Sequence, residues 1–251
     1  ENERVVEYPV VQSKLTKDYT RRALDFIDRN RERPFFLYLP HAMPHKPLAA
    51  SEEFYLAGSP ADLYSATVRE LDWSVGQVLD KLRELGLDRD TMVVFMSDNG
   101  PTFGGSSGGL RGLKGGTYDG GIRVPGIFWQ PGRIPGGRVT GEIAGTVDLF
   151  PTIVAAAGGK LPADRKIDGL DLLPLLTGAT EKSPRETIFA MGGGQLRVIR
   201  SGRWKLHART PLPGFACLSS EQAAQWVDPR GPDGVTIVAP FEQPRPDSCP
   251  G

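Results

Sequence analysis

Residues 91–123 constrain the fold of this chain more than any other stretch. An apolar, β-branched run, VVFM, predicts a buried strand, and it stops abruptly at Asp98, Asn99 and Gly100. A glycine-rich loop follows and carries a single lysine, Lys114. Because ligand groups gather at the carboxyl ends of strands in α/β sheets, this junction is the first candidate for a binding site.

The residue types at this junction suit a particular chemistry. The carboxylate of Asp98 and the carboxamide of Asn99 supply the hard oxygen donors that Ca²⁺ or Mg²⁺ prefers. A lysine on a loop of small residues suits a sulfate or phosphate ester. Each residue also has a simpler interpretation, since Asp-Asn-Gly is a common turn and Lys114 could be a solvated loop lysine. Together they predict a metal-assisted site for an anionic substrate.

The first half of the chain alternates between helical and strand patterns. Apolar residues recur at helical spacing over residues 13–30 and again over 61–86, where Gly86 ends the pattern. Between these helices, PFFLYLP (34–40) predicts a short apolar strand. Because a helix separates this strand from the one at 91–97, the pattern favours a βαβ unit with parallel strands.

The second half is rich in glycine and proline and contains shorter elements. The pattern predicts a buried strand at 124–132, a helix at 148–157 with Pro151 in its first turn, and a short apolar element at 168–178. From about residue 186 the pattern changes to antiparallel strands, ETIFAM and QLRVIRSGRWKLHA. We therefore predict a domain boundary near residue 180, with one domain over 1–180 and a small β-rich one over 181–251.

Composition narrows the class of protein. The 251 residues include 30 basic and 30 acidic side chains, so no global field favours nucleic acid or membrane lipids. No apolar run approaches the roughly 18–20 residues that span a bilayer, and the opening residues do not resemble a secretory signal. Cys217 and Cys249 could form a disulfide or remain free thiols.

The strand at 34–40 ends in a loop that contains two of the three histidines. His45 lies between prolines in PHKP, which predicts a stiff, extended backbone. By itself, His45 is most simply interpreted as an exposed loop histidine. We interpret His41 and His207 as structural or exposed.

The order of these segments resembles the formylglycine-dependent sulfatases, in particular the branch around arylsulfatase A and N-acetylgalactosamine-6-sulfatase. The resemblance covers residues 33 to about 207. The matching segments are RPFFLYLPHAMPHKP, ELDWSVGQVLDKLRELG, FMSDNGP, GLKGGTYDGGIRVP, TVDLFPTIVAAAG, IDGLDLLPLLTG and IRSGRWKLH.

The resemblance implies a fold and a set of roles. The fold would be α/β, a partial three-layer sandwich of the alkaline phosphatase type followed by a small antiparallel β subdomain. The activity would be hydrolysis of sulfate esters. Asp98 and Asn99 would be two ligands of a divalent cation, usually Ca²⁺, with Mg²⁺ as the alternative. Lys114 would contact a sulfate oxygen, and His45 would face the scissile ester oxygen as a donor or proton source.

The family's nucleophile is a formylglycine made from the first residue of a Cys/Ser-x-Pro/Ala-x-Arg motif. Neither Cys217 nor Cys249 fits this motif, and Ser183 lacks the required spacing. The resemblance therefore implies that the nucleophile, two Asp metal ligands and a further Lys and His would precede residue 1. We expect the chain to be the C-terminal portion of a sulfatase, with little or no turnover alone.

Two other functions remain open. One is a phosphodiesterase or phosphonate hydrolase of the same superfamily, and the other is a non-catalytic, glycan-binding module. The lysine loop and PHKP favour the sulfatase, and three histidines leave little room for a two-metal phosphatase site. The resemblance also implies a sulfated small molecule or glycan as substrate, and a location in the periplasm, outside the cell or in lysosomes.

Overall fold

The structure, a computed structural model, describes residues 2–55, 60–102 and 105–211. The described residues cluster into two compact units, one ending at Leu87 and the other beginning at Asp88. None of the helices in these ranges is long and apolar enough to cross a lipid bilayer. Cys217 and Cys249 lie outside the described residues, and the domain boundary near residue 180 stays a prediction.

The first unit contains the two long helices that the sequence predicts. A short 3-10 turn leads into α1 (Leu15–Asn30), and α2 spans Pro60–Glu84. The chain leaves α2 through Gly86, whose φ of 68° is the left-handed conformation that glycine adopts without a steric penalty. Both predicted helices are confirmed.

The two helices pack together through a face that is partly polar. Ala23 and Ile27 of α1 are buried, and so are Thr67, Glu70 and Ser74 of α2. The apolar spacing predicts α2 correctly, yet Val68, one of the residues in that pattern, is 41% exposed. The deeply buried side of the helix therefore depends on hydrogen bonds as well as on apolar contacts.

The predicted strand at 34–40 is wrong. The segment has no regular secondary structure, and its residues alternate between half-buried and exposed, with Phe36 67% and Tyr38 76% exposed. A strand requires a backbone neighbour, and no described residue pairs with this segment. The parallel βαβ unit that we expected is consequently not observed among the described residues.

The second unit begins with a two-stranded sheet. Strands β1 (Val93–Met96) and β2 (Gly126–Trp129) confirm two predicted strands, and they pair antiparallel. Ile127 is 57% exposed, so these strands are less buried than their composition predicts. The loop between them contains one helical turn, α3 (Asp119–Ile122).

Two short helices follow and confirm the predicted elements. A 3-10 turn leads into α4 (Leu149–Ala156), and α5 (Leu173–Thr177) ends at Gly178. Thr152 joins them through residues that immediately precede each helix. Its hydroxyl donates a hydrogen bond to the Asp148 carbonyl at 2.6 Å and accepts one from the Leu172 amide at 2.9 Å.

The last described elements form a three-stranded antiparallel sheet in chain order. Its strands are β3 (Thr187–Gly192), β4 (Gln195–Ser201) and β5 (Trp204–His207). The register places Arg200 opposite Lys205 and Val198 opposite His207, so these four side chains share one face of the hairpin. The antiparallel strands predicted after residue 186 are confirmed.

Candidate active site

The chain turns sharply immediately after β1. The side chain of Asp98 is exposed and that of Asn99 is half-buried. The Ser97 hydroxyl donates a 3.0 Å hydrogen bond to the Asn99 carbonyl and steadies the turn. The two candidate metal ligands therefore lie next to each other at the carboxyl end of a strand, as predicted from the sequence.

The lysine loop is attached to this turn through its backbone. The amide of Lys114 donates to the Pro101 carbonyl at 2.8 Å, and the amide of Gly100 donates to the Gly121 carbonyl at 3.0 Å. Lys114 itself is half-buried, and no carboxylate of a described residue pairs with it. Its ammonium charge is therefore available to an anionic ligand.

Glycines allow these two backbone segments to touch. A Cβ added at Gly100 would overlap the Gly120 carbonyl oxygen and lie 2.9 Å from the Cα of Gly121. Real Cβ atoms do not approach other atoms this closely. Gly100 is therefore required because two backbones meet there, and the close contact holds the Asp98–Asn99 turn against the lysine loop.

His45 belongs to the unit that ends at Leu87, whereas Asp98, Asn99 and Lys114 belong to the other unit. The predicted extended backbone at His45 is wrong, because its amide donates to the Ala42 carbonyl at 3.1 Å in a turn. The restriction that proline imposes acts on the residue before it, and His45 is not in that position. The exposed imidazole places Nδ1 2.7 Å from the Lys46 carbonyl.

The other two histidines have different surroundings. His41 contacts Ser74 through Nε2 at 3.4 Å, and burial lowers the pKa of its imidazole. The His207 ring lies 5.5 Å from that of Tyr118, and its Nδ1 is buried without a hydrogen-bond partner. Both histidines are packed against other side chains, which is consistent with a structural role.

The donor set at the Asp98–Asn99 turn fits a hard divalent cation in type but is incomplete in number. Ca²⁺ takes about six to eight oxygen ligands, and Mg²⁺ about six. In the ranges that the structure describes, no group of three or more His, Cys, Asp or Glu residues could hold a metal ion. Asp98 and Asn99 could thus supply only part of a coordination shell.

Sequence reasoning missed an ionic cluster beside the lysine loop. Asp119 accepts a hydrogen bond from Lys205 and another from Arg200, at 3.3 Å. The signal was present, since Asp119 is the one acidic residue in the glycine-rich loop. Residues 187–211 contain no acidic residue to neutralise the arginines and lysine of β4 and β5.

Comparison with known proteins identifies the family. A sequence model of the family described as Sulfatase matches residues 1–159. Arylsulfatase D of Homo sapiens is 40% identical over 226 residues, which cover 84% of this chain and 38% of that protein. N-acetylgalactosamine-6-sulfatase of Canis lupus familiaris is 42% identical over 204 residues, covering 78% and 38%. The chain spans about two fifths of the length of these curated relatives.

Solved structures agree with this result. The crystal structure of PsFucS1 sulfatase from Pseudoalteromonas sp. superimposes with a TM-score of 0.75 and 26% identity, covering 89% of this chain and 46% of that one. The similarity confirms the predicted α/β fold class of the alkaline phosphatase type. The chain therefore belongs to the sulfatase family, as the segments quoted above predict.

Proposed function

We propose that the protein containing this chain hydrolyses sulfate esters of glycans or small molecules. One observation carries the proposal beyond family membership. The lysine loop is joined to the Asp98–Asn99 turn by the Lys114 and Gly100 amide hydrogen bonds. A cationic side chain and two oxygen donors for a cation are thus held together by their own backbones, which suits a sulfate group bound beside a metal.

Lys114 would bind the sulfate group. Its ammonium would contact a sulfate oxygen and offset the charge that develops as the S–O bond breaks. Lys114 is half-buried, so water screens its charge less than at the surface. Its attraction to a sulfate oxygen is therefore stronger. The absence of a carboxylate partner among the described residues means that no ion pair must be broken first.

His45 would protonate the leaving alcohol. With Nδ1–H donating to the Lys46 carbonyl, the orientation of the ring is fixed and Nε2 is the atom that exchanges the proton. An imidazole suits this role near neutral pH, and its exposure leaves room for a substrate. The nucleophile would lie in a part of the protein outside this chain, which spans about two fifths of the length of its curated relatives.

Membership of the sulfatase family indicates a divalent metal, and we infer that it is Ca²⁺, with Mg²⁺ as the alternative. Asp98 and Asn99 would hold it through their side-chain oxygens, and the bound cation would reduce the negative charge on the sulfate group. The same membership supports a location in the periplasm, outside the cell or in lysosomes.

The experiment that tests this function uses the longest natural protein that contains this chain. We expect hydrolysis of 4-nitrocatechol sulfate and far slower hydrolysis of bis-p-nitrophenyl phosphate. Lys114→Ala should lower kcat/KM by about 10²–10³, as loss of a transition-state charge partner does. The exposed Lys160 provides the control, and Lys160→Ala should leave kcat/KM unchanged.

Two outcomes would favour the alternatives. Diesterase activity without sulfatase activity would favour the phosphodiesterase, and binding of a sulfated glycan without turnover would favour the glycan-binding module.

The metal is tested on the longest natural protein that contains this chain. Calorimetric titration with Ca²⁺ and with Mg²⁺ should show weaker binding after Asp98→Ala, because one carboxylate ligand is lost. Asp90→Ala removes an exposed carboxylate eight positions earlier and should leave binding unchanged. Equal affinities in wild type and Asp98→Ala would exclude Asp98 as a ligand.

A further inference from the structure

The β4–β5 hairpin presents two cations to the lysine loop. Arg200 and Lys205 are opposite each other in the register, so their side chains lie on the same face. Both reach Asp119: Lys205 binds Oδ1 and Arg200 binds Oδ2 at 3.3 Å. Lys205 also donates to the Thr117 carbonyl at 3.2 Å. One ammonium group therefore holds a side chain and a main-chain carbonyl of the same loop.

This contact is shielded from water. The side chains of Lys205 and Asp119 are 18% and 22% exposed. Burial alone would raise the pKa of Asp119, but the hydrogen bond from Lys205 and the charges of Lys205, Arg200 and Arg123 hold it below its ordinary value. Asp119 is therefore ionised at neutral pH, and an ionised carboxylate accepts stronger hydrogen bonds than a neutral one.

An aromatic contact lies next to the ionic one. His207 follows Lys205 on the same face of β5, and its ring is 5.5 Å from that of Tyr118. On the loop itself, the Arg111 guanidinium lies 4.1 Å from the centre of the Tyr118 ring. The hairpin thus contacts three consecutive residues, 117–119, and Lys205 and His207 of β5 together reach all three.

The loop passes this restraint on to Lys114. The amide of Gly120, next to Asp119, donates to the Arg111 carbonyl at 2.7 Å and closes the loop on itself. The loop contains Gly112, Gly115 and Gly116, so it has a large conformational entropy to lose on ordering. Contacts from outside the loop are therefore needed to maintain the hydrogen bond from the Lys114 amide to the Pro101 carbonyl.

We propose that Lys205 is a positioning residue for Lys114: by holding Asp119 and the Thr117 carbonyl, it fixes the 111–121 loop in the form that binds the sulfate group. Binding of sulfate at Lys114 is part of the function proposed above, whereas the restraint on the loop comes from the contacts of Lys205 alone. The small C-terminal sheet would thus contribute to the reaction without touching the substrate.

The first test measures the loop in the chain itself by hydrogen–deuterium exchange. Lys205→Met keeps the length of the side chain and removes the donor, so exchange in residues 98–101 and 110–122 should rise at least tenfold. Lys205→Arg should restore protection, and Lys166→Met, at an exposed lysine, should change nothing. Should Lys205→Met fail to fold, Lys205→Gln keeps a donor for Thr117 while removing the charge. Unchanged exchange in a folded variant would overturn the proposal.

The second test measures catalysis in the longest natural protein that contains the chain. Lys205→Met should lower kcat/KM for an aryl sulfate by tenfold to a hundredfold, and Lys205→Arg should recover most of it. In a Lys114→Ala background, Lys205→Met should cause little further loss, because its effect passes through Lys114. A full additional loss there would show a general structural role and overturn the proposal. A wild-type protein without sulfatase activity would refute the proposed function, while the exchange test would still decide the role of Lys205 in the loop.

Discussion

At the scale of single residues, Gly100 decides whether the metal turn and the lysine loop can meet. A methyl group at this position would overlap the Gly120 carbonyl, and the obstacle is backbone that cannot rotate away. We expect Gly100→Ala to cost about 2–3 kcal/mol in the free energy of unfolding, by analogy with overpacked cores. It should also weaken Ca²⁺ binding by the longest natural protein that contains the chain.

Urea unfolding and calorimetry measure the two effects of Gly100→Ala. Gly141→Ala is the matched control, since a Cβ there meets nothing within 4 Å and its φ is not positive. A Gly100→Ala variant that matched this control in both measurements would contradict the close contact described here.

Asp148 is the most completely bonded carboxylate among the described residues. It is fully buried. Its oxygens accept hydrogen bonds from the Nε and Nη2 of Arg185, at 2.7 and 2.5 Å. They also accept hydrogen bonds from the amides of Gly145 and Leu170, at 2.9 and 2.8 Å. Asp148→Asn should cost about 3–5 kcal/mol, because the largely buried Arg185 loses the carboxylate charge to which it donates two hydrogen bonds. Asp164→Asn, which breaks an exposed pair, should cost under about 1 kcal/mol in the same unfolding assay.

The same carboxylate should make stability depend on pH. Burial alone would raise the pKa of Asp148, but the hydrogen bonds from Arg185, Leu170 and Gly145 hold it below its ordinary value. As pH falls, the Asp148 carboxyl is therefore protonated at a higher pH in the unfolded chain, where an Asp has a pKa of about 3.9, than in the folded chain. The stabilisation is complete above about pH 5 and is lost as pH falls through the folded pKa. Urea midpoints should thus fall less steeply below pH 5 in Asp148→Asn than in wild type.

At the scale of elements, the helices and the three-stranded sheet were predictable because their signals are local. Gly86 and Gly178 end helices, and the turns at Gly193 and Gly202 separate the last strands. The partner of a strand is not a local property. The segment at 34–40 has the composition of a strand and the alternation of one, but its hydrogen-bonded neighbour cannot be inferred from its own residues.

The candidate site shows the same limit. The residue types at Asp98, Asn99 and Lys114 indicate their chemistry from the sequence alone, and the family resemblance supplies an expected role for each. The ion pair between Asp119 and Lys205 joins residues 86 positions apart, and no periodicity marks such a pair. Sequence reasoning can identify the groups that carry chemistry, whereas the contacts that hold them depend on tertiary packing.

The α1–α2 contact offers a test of its polar face. The Thr20 hydroxyl donates to the Thr16 carbonyl and lies 2.6 Å from the Ser74 hydroxyl, which must then donate to Thr20. Thr20→Val keeps the shape and leaves Ser74 with only a 3.4 Å contact to His41. We expect a loss of about 1–3 kcal/mol in urea unfolding, the cost of a buried group without its partner.

A second substitution separates this bond from general packing. The double variant Thr20→Val with Ser74→Ala should lose less than the sum of the two single losses, because both partners of the bond are then removed. Thr180→Val is the control at an exposed threonine. Strict additivity in the double variant would show that the two hydroxyl groups do not interact.

At the scale of the whole chain, charge balance and exposed apolar side chains act together. The 30 basic and 30 acidic residues cancel, and the chain has a pI of about 7.1. The chain contains only three histidines, the residue type whose ordinary pKa lies between about pH 5 and 8, so its net charge changes little over that range. Electrostatic repulsion between molecules is then weak, while side chains such as Phe36 and Tyr38 are exposed.

We therefore expect this chain to self-associate between about pH 6 and 8, through the exposed aromatics of residues 35–39 and a backbone that pairs with no strand among the described residues. Phe36→Glu with Tyr38→Glu should shift the protein toward monomer in light scattering at pH 7, because it adds charge and removes apolar surface from one segment. The matched control is Val6→Glu with Val139→Glu, which adds the same charge at two exposed valines of 67% and 98% exposure. If the control variant dissociates the assemblies equally well, net charge alone explains the association. If the aromatic variant is as associated as wild type, the segment at 35–39 is not the contact.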